Sequence, residues 1–426
     1  MMDGGFDHLS DFDEDDEQRT VVDSAFWDQP KVPDYPALAT FGRFEILGRL
    51  ARGGMAEVYL AREWDEDGKA RHLVVKRVLP EMEDQPELLE MFQKEGAIAV
   101  RLYHPNVCHV YECGVIDGIT FMALEWVWGP SLQQVVERAA SRGGCVPWPV
   151  AIEIVSRAAA ALHYVHDAKG TGGRPLNIIH RDVSPHNIMM SWTGGVKLLD
   201  FGIAKTSNQE MTTGGATVGK YGYMSPEQAR SQRVDRRSDV FALGVVLYEA
   251  LTGQPLYDRP TLLETLTAVT REPVPSLRAE RPELPAVLEH IVARALAKDP
   301  AQRFQSAGEF RAALQQVLRS NDQVVTDQRV ALTLDSLYSK ADKQPLRGTP
   351  QATASFSALS AQGAAQVLNS SEVVTFDHSR PSVPVPIGAL PAKKPPVPVF
   401  LLFVGIVFLG LFSGAIVAML GYMLLR

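Results

Sequence analysis

Residues 180–190 read HRDVSPHNIMM and residues 196–202 read VKLLDFG, with a short Ser-Trp-Thr-Gly-Gly stretch between them. IMMSWTGGVKLL has the form of a β-hairpin, two apolar runs about a glycine-containing turn. On either side of that hairpin stand Asp182, Asn187 and Asp200, three oxygen-bearing side chains within one short window. Any one of them taken singly could be a solvated turn residue. The ordered set restricts the chain far more than any property of its composition.

The window lies in a stretch, from Phe44 to about Leu318, where strand-like alternation gives way to helical periodicity, as in FRAALQQVL at 310–318. That is the expected folded domain, 44–318. Residues 1–40 carry the acidic run DFDEDDE and little apolar material, so an acidic, disordered N-terminus is expected, with no feature of a signal peptide. Residues 320–397 turn rich in Ser, Ala, Gln and Pro, ending in PSVPVPIGALPAKKPPVP, and read as a linker. Residues 399–425 then run without a charge, against the roughly 20 residues a helix needs to span a bilayer. A transmembrane helix is expected there in preference to a buried core helix. Lys393 and Lys394 just before it place the folded domain in the cytoplasm by the positive-inside tendency. This gives a single-pass protein of the inner (plasma) membrane. Gly410, Gly414 and Ala418 recur every four residues on one face of the span and could allow a homodimer, although small residues are common in membrane helices.

The formal net charge of -8 and the absence of a basic stripe with interleaved aromatics argue against a nucleic-acid partner. Cys108, Cys113 and Cys145 are too few and too irregularly spaced for a disulfide scaffold or a zinc site, and read as free thiols.

Further motifs precede and follow the central window. GRLARGGMAEV at 48–58 lies between strand-like FEIL and VYLA, a hairpin whose backbone amides could cover phosphates, or a plain turn on Gly53-Gly54. LVVK at 73–76 puts Lys76 in a strand pattern, and EMFQKEGAIAVRL carries Glu95 on a helical stretch. FMALEWVWGPSL follows at 121–132, GYMSPEQ at 222–228, SDVFALGVVLYEALTG at 238–253 and DPAQRF at 299–304.

In this order the motifs resemble those of the eukaryotic-like serine/threonine protein kinases in their bacterial, membrane-anchored form. The resemblance implies an α+β, two-lobed kinase fold with a small β-rich N-lobe and a larger helical C-lobe. It also implies phosphoryl transfer from ATP with Mg2+ (Mn2+ could substitute) to Ser/Thr hydroxyls of protein substrates. On this resemblance Asp182 is the catalytic base, and Asn187 and Asp200 hold the metal. Lys76 meets the phosphates and pairs with Glu95, although Glu95 alone could be a surface carboxylate. Leu50, Gly53, Gly54 and Val58 form the phosphate-covering loop; Leu124 is the gatekeeper, and the backbones of Glu125 and Val127 meet adenine. Asp239 is the buried carboxylate of the main lower-lobe helix, and Glu227 pairs with Arg303. The insertion KGTGGRPLN at 169–177 departs from the family and is expected on the surface.

Three departures stand out. Ala51 and Ala56 replace the outer glycines of the phosphate loop. Ser184 stands where serine/threonine kinases carry a lysine, and Lys220 falls where the family has a threonine. The expectation is that Lys220 supplies the displaced cation, the alternative being a solvated lysine. These departures also leave room for a pseudokinase acting as a membrane-tethered scaffold, although Lys76, Glu95, Asp182, Asn187 and Asp200 are all retained. Arg181 precedes the base as in kinases switched by phosphorylation of the following segment, where Thr212, Thr213 and Thr217 are the candidate sites.

Overall fold

The structure is a computed structural model describing residues 35–200, 218–344 and 346. The acidic segment up to residue 34, Thr212, Thr213 and Thr217, and the span 399–425 with Gly410, Gly414 and Ala418 lie outside the described residues. Among the described residues no helix is long and apolar enough to cross a membrane.

An antiparallel six-stranded sheet forms the first layer. Its strands are β1 (Ala39–Phe41), β2 (Phe44–Arg52), β3 (Ala56–Trp64), β4 (Ala70–Val78), β5 (Val110–Ile116) and β6 (Ile119–Glu125), in the order β1-β2-β3-β4-β6-β5. The two-residue period of a strand sorts its faces. In β4, Leu73 and Val75 are fully buried in a cluster with Phe44, Ile46, Tyr59 and Phe121. Val74 and Lys76 consequently face the opposite way, into the cleft. On that second face helix α1 (Pro86–Ala99) packs Phe92 and Ala99 against Met122 and Val110.

Arg77, on the buried face, would be ruinous there alone. It donates to Glu57 Oε2 (3.0 Å) and Tyr59 Oη (3.2 Å), and Glu57 also accepts from Arg49 (3.1 Å), so the charge is paired and hydrogen-bonded. That network fixes β3 at the start of the roof of the cleft.

The second layer is helical: α2 (Leu132–Ser141), α3 (Trp148–His166), the single turn α4 (Pro226–Ala229), α5 (Arg236–Thr252), α6 (Leu262–Arg271), α7 (Leu277–Glu280), α8 (Ala286–Ala295), α9 (Ala307–Ser320) and α10 (Asp327–Leu337). In α5 every residue from Ser238 to Thr252 is buried, the mark of a helix surrounded by others. Helix α3 packs against α5 and α9, with Ala158, Ala159 and Ala161 letting the backbones come close.

A two-stranded hairpin, β7 (Ile188–Met190) and β8 (Val196–Leu198), pairs Ile188 with Leu198 and joins the layers beside the connection 126–131. There Met190 N donates to Pro130 O (2.9 Å) and Trp192 N to Trp128 O (3.0 Å). This crossing needs Gly129, because a Cβ there would sit 1.8 Å from Met190 O. The insertion 169–177 is a largely exposed loop with one short 3-10 turn.

The edges of the domain differ from the sequence reading. Residues 39 and 40, assigned to the disordered N-terminus, form β1 with Phe41 against β2. Residues 327–344 and Leu346, assigned to the linker, begin with α10, whose N-cap Thr326 accepts from Arg329 N. Val330 and Leu334, one helical turn apart, are buried in the lower core, which outweighs the polar composition around them.

Candidate active site

A cleft of about 1310 Å³ lies between the layers, beyond the roughly 300–1,000 Å³ of ordinary ligand pockets. Leu50, Ala51 and Val58 line its roof, Glu125 and Val127 its back, and Met189, Leu199 and Asp200 its floor.

The floor is held from below. Asp239 on α5, 1% exposed, accepts from the backbone amides of His180 (2.8 Å) and Arg181 (2.9 Å), and its Oδ2 lies 2.7 Å from His166 Nε2. Burial pushes the Asp239 carboxyl upward, but the His166 bond and the charges and amides around it outweigh that and hold it below its ordinary value. Arg181 has φ +63°, a left-handed conformation that costs a non-glycine residue about 1–3 kcal/mol, and the carboxylate clasping two successive amides fixes it. His180 is kept neutral by burial; its Nε2 lies 3.0 Å from Leu199 O and its Nδ1 accepts from Asp182 N (3.3 Å). One imidazole therefore spans the segments carrying Asp182 and Asp200.

Asn187 Nδ2 donates to Asp182 O (2.8 Å) and to Asp182 Oδ2 (3.2 Å), while Leu199 N donates to Asn187 O (2.8 Å). Asp182, Asn187 and Asp200 are thus brought together. From the roof side, Lys76 stands opposite Val58 on β3 and Met122 on β6 and reaches Asp200 Oδ1 at 2.6 Å. Burial pulls its ammonium pKa down; Asp200, Glu95 and Asp182 together outweigh burial and raise it, so Lys76 is a permanent cation. The half-buried Glu95 on α1 acts on Lys76 through this field.

At the back wall, Glu125 N donates to His109 O (2.8 Å), and its carboxylate accepts from Lys197 Nζ (2.8 Å) and His109 N (3.1 Å). The Glu125 carbonyl accepts a weak bond from the Cys108 thiol at 3.5 Å. The Val127 amide, two residues on, makes no backbone hydrogen bond among the described residues, and Val127 lines the cleft. Cys108 is buried; Cys113 and Cys145 are half-buried, and all three are free thiols. Lys197, His166 and the Arg77–Glu57 network are functional supports that sequence reasoning missed.

Below the cleft, Arg303 (1% exposed) meets Glu227 through two bonds of 2.7 and 2.8 Å and also donates to the carbonyls of Ala297, Arg237 and Lys298. Burial raises the Glu227 pKa, but the hydrogen bonds from Arg303 and Ser238 prevail and lower it. Ser184 is 2% exposed, and its hydroxyl has no hydrogen-bond partner among the described residues. Lys220 falls in the 3-10 turn Val218–Tyr223, with its side chain outside the described part.

No group of three or more His, Cys, Asp or Glu that could hold a metal is present among the described residues. One carboxylate and one amide, Asp200 and Asn187, suit a hard divalent cation that takes its remaining oxygens from a phosphorylated ligand and water. The cleft thus offers the Lys76 ammonium and the oxygens of Asn187 and Asp200, with the Asp182 carboxylate bonded to Asn187 and the unbonded Val127 amide at the back wall. That set can hold a nucleotide triphosphate and orient a hydroxyl toward it.

Known proteins resemble this chain in sequence and fold. The protein kinase domain family matches residues 44–318. The chain is 40% identical over 284 residues to the tyrosine-protein kinase MasK of Myxococcus xanthus, covering 66% of this chain and 44% of that protein. It is 38% identical over 284 residues to the serine/threonine-protein kinase PknB of Mycobacterium tuberculosis, covering 65% and 43%. Among solved structures, the kinase domain of Mycobacterium tuberculosis PknI superposes with a TM-score of 0.51 at 29% identity, covering 67% of this chain and all of that one. The match spans less than half the length of these curated relatives. With the family matching well over half of the sequence and the two-lobed cleft built as described, the chain belongs to the protein kinase domain family.

Proposed function

We propose that the chain transfers the γ-phosphoryl group of ATP, with Mg2+, to serine and threonine hydroxyls of proteins and to its own segment 206–217. The observation that carries this reading is that Lys76, Asn187 and Asp200 line one cleft while Asn187 bonds to Asp182, with the two residues before Asp182 held by the Asp239 clasp. Asp182 would accept the hydroxyl proton, Asn187 and Asp200 would hold the metal, and the metal would neutralise charge on the phosphates. Glu125 O and Val127 N would meet adenine. The roof fits too: a Cβ at Gly53 would make only ordinary contact with Ala56 O (3.5 Å), and one at Gly54 would touch nothing. Packing does not require either glycine, which leaves close approach to a phosphate as their use.

Incubating the protein with ATP and Mg2+ and mapping phosphate tests this, with Asp182→Asn as control. Equal incorporation in both proteins would refute the enzyme reading and leave a scaffold. Tyrosine as acceptor is a second reading, favoured by the name of MasK. Phosphotyrosine without phosphoserine or phosphothreonine on a mixed protein substrate would establish it.

The lysine absent at position 184 is, in this proposal, supplied by Lys220. A buried hydroxyl without a partner costs about 1–3 kcal/mol, so Ser184 Oγ is a ready acceptor for an incoming ammonium. Such a preorganised donor is worth about 3–4 kcal/mol of barrier. Lys220→Thr should cripple transfer and the added Ser184→Lys restore much of it; simple additivity would rule the exchange out. The uncharged run 399–425 would anchor the enzyme in the cytoplasmic membrane, tested by whether deleting it moves the protein from the membrane to the soluble fraction.

A further inference from the structure

The segment after the family-matched residues turns back to the cleft. Helix α10 docks by its first residue: Asp327 pairs with Arg157 of α3, and its backbone lies so near the β7–β8 turn that a Cβ on Gly194 would stand 1.9 Å from Asp327 O. From there the chain runs along the connection between the lobes. Arg142, the C-cap of α2, donates to Ser336 O (2.7 Å), Tyr338 packs edge-on against Trp192 with ring centres 5.2 Å apart, and Arg138 of α2 pairs with Asp342 (3.3 Å). Trp128 Nε1, in the connection itself, donates to Lys343 O (2.9 Å). The last contact is with the other lobe. Leu346 sits over β2 where a Cβ on Gly48 would lie 2.6 Å from Leu346 Cδ2. Tyr338, Lys343 and Leu346 line the same cleft as Lys76 and Asp200.

We propose that residues 327–344 together with Leu346 are an intramolecular strap that ties the roof strand β2 to the connection and the lower lobe, and so sets the affinity of the cleft for nucleotide. A segment bonded to both lobes resists their separation, because lifting β2 away from the floor must break the Leu346 contact or pull Lys343 and Asp342 from Trp128 and Arg138. Leu346 and Asp342 are positioning residues: they act on the nucleotide through the roof they hold. The proposal rests on the cleft being the nucleotide site.

The test uses the full chain with Leu346→Asp, which sets a charge against the roof, and Asp342→Arg, which faces Arg138 with a like charge. Two quantities are read: the dissociation constant of Mg-ADP by calorimetry, and KM for ATP against kcat. If release leaves about one molecule in five with the roof in place, apparent affinity falls about five-fold. The expected result is that rise in the dissociation constant and in KM for both variants, with kcat held within about two-fold, and recovery in Arg138→Glu/Asp342→Arg. Unchanged or tighter nucleotide binding in both single variants overturns the proposal. Mg-ADP binding is measured without turnover, so a wild-type protein that binds ADP but transfers no phosphate would defeat the kinase reading while the strap is still judged.

Discussion

Asp239→Asn tests the account of how the catalytic loop is held. The carboxylate receives His180 N and His166 Nε2 on Oδ2 and Arg181 N on Oδ1. A carboxamide has one acceptor oxygen, so in either orientation its NH2 group faces a backbone N–H. With the oxygen at the Oδ2 place the Arg181 amide is orphaned; with the opposite flip the His180 amide is. Loss of charge-assisted bonds, at about 1.5–3 kcal/mol, and one unsatisfied buried amide, at about 1–3, sum to about 2.5–6 kcal/mol. For a domain of this size each kcal/mol is worth about 2–4 °C, which predicts a melting temperature lower by about 5–24 °C. Catalysis should suffer separately. The left-handed Arg181 directs the chain into Asp182, and a shift of about 1 Å at the base can cost about 100-fold in kcat. Mg-ADP affinity should fall by a smaller factor than kcat, since Lys76, the roof and Val127 are untouched and only the floor that carries Asp200 is loosened. Thermal unfolding, calorimetry with Mg-ADP and initial rates measure the three. A melting temperature within about 2 °C of wild type together with an unchanged kcat would refute the argument.

The Glu227–Arg303 pair gives a pH signature. Because the folded carboxyl lies below its ordinary value of 4.5, its ionised form stabilises the fold, fully above that value and progressively less as pH falls through the folded one. Glu227→Gln, which strands the buried Arg303, should cost about 3–5 kcal/mol near neutral pH and flatten the acid limb of urea-unfolding midpoints; an acid limb parallel to wild type would count against it. Burial pushes the Cys108 thiol well up and the Cys113 thiol up to about 12, so both should escape iodoacetamide at mildly alkaline pH until the chain is unfolded. Stoichiometric labelling of native Cys108, read by mass spectrometry, would contradict that burial. Gly129→Ala places a Cβ on a backbone carbonyl that cannot rotate away, and urea midpoints should report a loss of about 1–3 kcal/mol.

What was legible in the sequence follows the range of the interactions. The β7–β8 hairpin and helix α9 could be read from local pattern, because strand alternation and helical periodicity are set by neighbours in the chain. The positions of Lys76, Asp182, Asn187 and Asp200 were found as an ordered set, although their meeting in space depends on the register Val58–Lys76–Met122 and on the hairpin pairing. His166 was invisible. It sits on the apolar α3, where a lone histidine carries no sign that a carboxylate 73 residues away will come to it. Arg77 and Glu57 look like ordinary charged strand residues until β3 and β4 are paired and both side chains fall on the buried face.

The strap was missed for a different reason. Its composition is polar, and only Val330 and Leu334 of α10 enter the core, a signal too short to outweigh the Ser, Ala and Gln that follow. What holds it is a series of single contacts, each modest, made by residues already placed by the kinase fold: Arg157, Arg142, Arg138, Trp128 and Gly48. Such a segment gains its order from the surface it lies on. Its detachment would therefore expose little core and cost far less than unfolding a helix such as α5. An element of that kind can change state while the domain stays folded. The same contacts that made it unreadable in the sequence make it the part of the cleft wall most open to adjustment.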